Sequence, residues 1–222
     1  MFCFFFLIYI VNVKQKSVWR CLARLASFFA EKAIDVAFAI GASGPKGSIN
    51  FARMVSILKT IVNEYRVSSN ETALALVDYN GPANARIYFS DSYTKEDFKT
   101  NAENVPSSSR PGSLSGALKV AREEVFTTRR GERPFAENIL IVMTVGDFDE
   151  NSADLKEEIG KLREFPVKII PVLIADTPDK KKKNKLKVIA SADNLPVVCL
   201  PHNAREKARE VPFKASQGLS IT

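Results

Sequence analysis

Residues Ile34 to Gly47 read IDVAFAIGASGPKG, an apolar run that passes directly into a glycine-rich turn. Val36, Ala37, Phe38, Ala39 and Ile40 show none of the in-out alternation of a half-exposed strand, so this run predicts a parallel strand covered on both faces. Gly41, Gly44 and Gly47 then allow a tight bend at the strand's carboxyl end. In open α/β sheets that end is where ligands gather.

The rest of the chain alternates between the two hydrophobic periods. Ile49 to Tyr65 carries Phe51, Met54, Val55, Leu58, Ile61 and Val62 at spacings of three and four, the pattern of a helix packed on a sheet. Thr72–Tyr79 and Ala85–Asp91, separated by NGPAN, read as a strand, a turn and an antiparallel edge strand. Thr94–Val105 has the threonine start and early acids of a short helix, and Pro106–Ser113 is a polar loop. Ser113–Phe126 reads as a helix packing through Ala117, Leu118, Val120, Ala121 and Val125. Ile139–Met143 is a central strand, Ala153–Phe165 a charged helix stopped by Pro166, and Val167–Ala175 another buried strand. Lys185–Ala192 suggests a further helix, Leu195–Leu200 a last short strand and Ala204–Val211 the start of a terminal helix. This order predicts an α/β fold: a doubly wound, mostly parallel sheet with one antiparallel edge strand and helices on both faces.

Two families fit the glycine turn. Taken as GASGPKG, it resembles the phosphate-binding loop of NAD(P)-dependent short-chain dehydrogenases, which would make the chain an oxidoreductase. That family needs an acidic residue about twenty positions past the glycines, at the end of a second strand. Here that region has a helical pattern, and Asp78, which does follow a strand, comes much later. No Tyr-x-x-x-Lys pair is present, and Lys46 precedes Gly47, so a nucleotide P-loop does not match either. Taken as IGASG, the turn resembles the first strand and loop of a von Willebrand factor A domain, a Rossmann-like three-layer sandwich. This second resemblance extends from about Ile34 to Val211. It includes Tyr79, the helix after Ser113, and GERPFAENILIVMTVGD (Gly131–Asp147), which follows the family's arginine-proline approach and central strand. The resemblance implies a non-catalytic protein-interaction or adhesion module of the extracellular-matrix type, with collagen or another matrix protein as partner.

The departures from that family fall on its metal-ion-dependent adhesion site. Where the family has Asp-x-Ser-x-Ser, this chain has Gly41, Ser43 and Pro45; Ser113 stands for the family's threonine and Val145 for its last aspartate. Magnesium is bound through octahedral oxygens, usually with one or two carboxylates. Both carboxylates are missing, so the expectation is a degenerate site and a module that works without metal or cofactor. Asp147 and Asp149 are the acids near enough in sequence to replace them.

The 222 residues divide into an apolar N-terminal segment with a lead-in helix (1–33), the A-domain-like unit (34–211) and a flexible tail (212–222). MFCFFFLIYIVNV suits the core of a secretory signal, although the usual positive start is missing and the basic residues follow it. Extracellular location is therefore expected, with a signal-anchored or an intracellular scaffold as alternatives. Trp19–Lys32 reads as a helix with Leu22, Leu25 and Phe29 on one side. Hydrophobic residues at 45% and charged residues at 26% exclude a disordered or fully membrane-embedded chain. With three cysteines a disulfide-rich scaffold is excluded; Cys21 and Cys199 are the candidate bridge, as extracellular A domains often join their ends, while Cys199 in VVCL also reads as a small buried residue. Asn70-Glu71-Thr72 is a glycosylation acceptor pattern. The formal charge of +7 is concentrated in Lys180, Lys181, Lys182, Lys183, Lys185 and Lys187, a candidate anion site for a sulfated polysaccharide or simply a solvated helix start. No aromatic platform interleaves with these lysines, which argues against nucleic acid. His202 has no identifiable nucleophile or carboxylate partner.

Overall fold

The computed structural model describes residues 33–41, 47–91, 94–106, 112–146, 148, 152–174, 180–191 and 197–199. Its sheet has six strands. In chain order the elements are β1 (Ile34–Ile40), α1 (Gly47–Asn63), β2 (Thr72–Asp78), β3 (Asn84–Ile87), α2 (Lys95–Glu103), α3 (Leu114–Val120), β4 (Glu137–Thr144), α4 (Ala153–Glu164), β5 (Val167–Ile174), α5 (Lys180–Leu186) and β6 (Val197–Cys199). The strand order is β3-β2-β1-β4-β5-β6. Only the β2–β3 pairing is antiparallel; β1 pairs in parallel with β2 and β4, and β4 with β5 and β5 with β6. The chain reverses its direction of winding between β1 and β4, which makes their carboxyl ends the switch point of the sheet.

The alternation of side chains along each strand sorts the core into two layers. Val36, Phe38 and Ile40 of β1 face one side with Leu74, Leu76, Ile139, Ile141 and Met143, and meet Met54, Leu58 and Ile61 of α1 and Phe98 of α2. Ala37 and Ala39 face the other side with Ala75, Val77, Leu140 and Val142, against Ala117, Leu118 and Ala121 of the α3 region and Leu155, Ile159 and Leu162 of α4. Every residue of β1 is buried, as its unbroken apolar run requires.

One charge is buried in that strand. Asp35 is fully enclosed, and its carboxylate accepts from the Arg133 backbone N–H at 2.7 Å and from Nε at 2.8 Å. The same guanidinium donates to the carbonyls of Ser69 at 2.6 Å and Ile34 at 2.7 Å. Arg133 thus ties the loop before β4 to the entrances of β1 and β2. Burial pushes the Asp35 carboxyl above the ordinary aspartate range, and the hydrogen bonds from Arg133 oppose that rise.

Several elements end differently from the sequence expectation. The edge strand stops at Ile87 instead of running to Asp91: the Asp91 carboxylate takes the Tyr88 N–H at 2.8 Å, and Phe89–Asp91 closes into a 3₁₀ turn. The helix after Ser113 is α-helical to Val120 and then widens into a π-turn over Ala121–Val125, where Phe126 N–H reaches Ala121 O at 2.8 Å. The helix expected over Lys185–Ala192 is instead the lysine run itself, Lys180–Leu186, followed by turns. The expected Trp19–Lys32 and Ala204–Val211 helices lie outside the described residues, as does the 212–222 tail. Among the described residues no helix is long and apolar enough to cross a membrane.

Candidate interaction site at the carboxyl ends of the strands

Tyr79 organises this end of the molecule. It directly follows β2, its N–H donates to Ile40 O at 3.0 Å, and its hydroxyl crosses β1 to donate to Met143 O of β4 at 2.7 Å. The ring passes directly over Gly41: a Cβ at that position would lie 2.5 Å from two ring carbons. Gly112 fits as closely against the Tyr79 backbone, since a Cβ there would lie 1.6 Å from Tyr79 O. The loops that carry Gly41 and Gly112 therefore close on Tyr79, and both can do so only as glycine. Burial pushes the Tyr79 phenol far above its ordinary value, so it remains a protonated donor at every physiological pH.

The loop after β4 is held from α5. Val145 is buried, and Gly146 turns with φ of 80° while its N–H donates to Thr144 Oγ1 at 3.0 Å. The Lys182 ammonium donates to Val145 O at 2.9 Å, and its stem packs against Gly146. Lys185 donates to Phe148 O at 2.9 Å, with its charge 5.7 Å from the centre of the Phe148 ring. Two of the six lysines thus serve the loop, while Lys180, Lys181, Lys183 and Lys187 are exposed. The run is thus a helix whose inner lysines reach back to the strand end.

Ser113 is exposed and caps α3, its Oγ accepting the Gly116 N–H at 3.0 Å and lying 2.9 Å from Ser115 Oγ. Asp78, the carboxylate at the end of β2, is buried and ion-paired to Arg86. Of the sequence-derived site positions, Gly41, Ser113 and Val145 are brought to this end of the sheet. Ser43, Pro45, Asp147 and Asp149 lie outside the described residues. So do Cys21 and His202, and the Cys199 side chain is likewise not described. Asn70 is exposed in the turn before β2.

Comparison with known proteins settles the family. The model of the von Willebrand factor type A domain matches residues 35–207. The chain belongs to that family. Human matrilin-1 is 29% identical to this A domain over 132 residues, which is 58% of this chain and 26% of matrilin-1. Mouse integrin alpha-M is 31% identical over 134 residues, 56% of this chain and 11% of the integrin. The A domain thus spans about a quarter or less of these curated relatives. Proximal thread matrix protein 1 from the mussel byssus superposes with a TM-score of 0.66 at 20% identity, covering 78% of this chain and 45% of that one; another of its structures has zinc in its MIDAS motif. At that identity the likeness establishes the fold. The dehydrogenase reading of the GASGPKG turn gains no support from these comparisons.

The family implies a divalent cation at this end of the sheet, and the described residues do not fit one. The space a carboxylate-bearing Cβ would need at Gly41 is filled by the Tyr79 ring, Val145 presents a hydrocarbon, and Asp78 is already committed to Arg86. Among the described residues, this end of the sheet offers a cation the Ser113 hydroxyl, which already caps α3, and no uncommitted carboxylate to offset its dehydration. Sequence alone identified Gly41 and Val145 as departures. It did not reveal that Tyr79 occupies the vacated volume, because that requires the register of β1 against β2.

Proposed function

We propose that this A domain is a non-catalytic protein-interaction module whose recognition surface lies at the carboxyl ends of β1 and β4 and operates without metal. The observation that carries this reading is the Tyr79 ring seated on Gly41 with its hydroxyl on Met143 O, which joins the loops of this end through the protein's own side chain. In a metal-dependent A domain the cation would hold these loops and be completed by the partner. Here Tyr79 and Lys182 hold them, and a partner would meet a preformed surface.

The relatives point to an extracellular matrix or adhesion partner, with fibrillar collagen as the first probe. Secretion, glycosylation at Asn70 and a Cys21–Cys199 bridge belong to the same reading. The test is surface-plasmon binding of the full chain to collagen and to a panel of matrix proteins, with magnesium and again with EDTA. Binding that is equal in both buffers, and that weakens when Ser113→Arg crowds the surface, is the expected result. Binding abolished by EDTA would overturn metal independence. Micromolar NAD or NADP binding by calorimetry would restore the oxidoreductase reading, and retention of the chain in the cytosol of secreting cells would favour an intracellular scaffold.

A further inference from the structure

We propose that a glycan on Asn70 lies across Phe135, with the face of its first N-acetylglucosamine stacked on the exposed ring. This rests on the secreted reading above, in which Asn70 is glycosylated. Asn70-Glu71-Thr72 is the only Asn-x-Ser/Thr pattern in the 222 residues. Attachment exchanges the C1–O bond of a lipid-diphosphate oligosaccharide for a C1–N bond to Asn70 Nδ2, releasing one amide proton and the lipid diphosphate. It acts on the unfolded chain, so the burial of Thr72 in the folded domain is no obstacle. Among the described residues Phe135, at 74%, is the most exposed large hydrophobic side chain. An isolated exposed apolar residue is ordinary; what marks Phe135 is how the fold joins it to the acceptor turn.

Arg133 makes that join. Its Nη1 donates to Ser69 O at 2.6 Å and its Nη2 to Glu71 O at 3.2 Å, so one guanidinium grips the backbone on both sides of Asn70. The turn is closed further by the Ser68 N–H on Thr72 O at 3.2 Å, the Thr72 N–H on Arg66 O at 3.1 Å and the Glu71 N–H on Ser68 Oγ at 3.1 Å. Asn70 is exposed on this fixed turn. The centre of the same guanidinium lies 5.8 Å from the centre of the Phe135 ring. With ordinary bond lengths across the peptide unit and the guanidinium, the Asn70 Cα is therefore within roughly 13 Å of that ring. An asparagine side chain, one pyranose ring and a stacking distance fill that span. The C–H face of N-acetylglucosamine is apolar, and the negative face of an aromatic ring attracts its polarised C–H bonds.

The test uses the full chain expressed in secreting cells and trimmed with an endoglycosidase to a single N-acetylglucosamine. Intact mass reads occupancy first: a chain without hexosamine overturns the glycosylation reading and this proposal with it. With Asn70 occupied, thermal midpoints are compared for the natural chain, Asn70→Gln, Phe135→Ser and the double variant. The natural chain is expected to melt roughly 2–4 °C above Asn70→Gln, the shift that a contact of aromatic-pair strength makes in a domain of this size, and the difference should vanish between Phe135→Ser and the double variant. Phe165→Ser, at the entrance of the neighbouring strand β5, should keep the difference. The N-acetyl methyl resonance should also move upfield under the Phe135 ring current and return in Phe135→Ser. A glycan effect of equal size with and without the Phe135 ring, or a methyl resonance that Phe135→Ser leaves in place, would overturn the stacking and leave glycosylation standing. So would sedimentation of the glycosylated chain as a dimer that Phe135→Ser converts to monomer, since the occupant would then be a second copy.

Discussion

Gly41 and Tyr79 form a matched pair, and each can be tested separately. Gly41→Ala places a methyl 2.5 Å from a ring that its hydroxyl bond holds in place, so the ring must tilt or the loop must lift. Overpacking of this kind costs about 1–3 kcal/mol; urea denaturation should show a lower midpoint with an unchanged slope, and an unaltered midpoint would mean that the ring is not seated there. Gly41→Asp incurs the same overlap, so replacing the missing carboxylate should lower stability without bringing magnesium-dependent stabilisation. Tyr79→Phe keeps the ring over Gly41 and removes only the donor to Met143 O. Its expected cost is about 1 kcal/mol, rising toward 3 kcal/mol if the carbonyl is left dry. Of this pair, sequence disclosed the glycine in place of an aspartate and the family tyrosine, but not their contact.

At the level of elements, buried strands were the most readable part of the chain: β1, β2, β4 and β5 lie where their apolar runs place them, because a strand covered on both faces leaves polar residues few positions. Elements fixed by side-chain-to-backbone bonds were harder to read. The carboxylate of Asp91 ends β3, and ammonium groups on Val145 O and Phe148 O hold α5, and neither device leaves a hydrophobic period. The α3–α4 contact is similar. Arg122, in the π-turn after α3, donates to Glu158 of α4 at 2.9 and 3.2 Å, and Lys161 adds a third bond at 3.2 Å. Burial alone would raise the Glu158 carboxyl, but these bonds outweigh it and hold the group below its ordinary value. A depressed carboxyl contributes stability that is present above the unfolded-state value near 4.3 and is lost as pH falls through the folded-state value. Chemical denaturation of the natural chain and Glu158→Gln should therefore differ at about pH 7 and converge toward about pH 3. A difference that stays constant over that range would mean the pair is packing rather than charge.

Across the whole molecule, the formal charge of +7 and the exposed side of α5 should act together on an anionic partner. The lysines of the run differ in role: Lys182 and Lys185 hold the loop after β4, whereas Lys180, Lys181, Lys183 and Lys187 are exposed. Heparin, as a model sulfated polysaccharide, should retain the protein in a salt-sensitive way, because exposed contacts are screened over about 8 Å at about 0.15 M salt. Glutamine at Lys180, Lys181, Lys183 and Lys187 should lower the eluting salt and change the melting temperature less than replacement of the inner pair does. Glutamine at Lys182 and Lys185 removes two donors to backbone carbonyls, so it should lower stability by about 1 kcal/mol for each bond and affect elution less. The opposite assignment, with elution controlled by the inner pair and stability by the outer four, would mean that α5 faces the sheet differently from the arrangement described. Retention unaltered by either set would place the anion-binding surface elsewhere on the basic chain and leave α5 solely as the brace of the loop after β4.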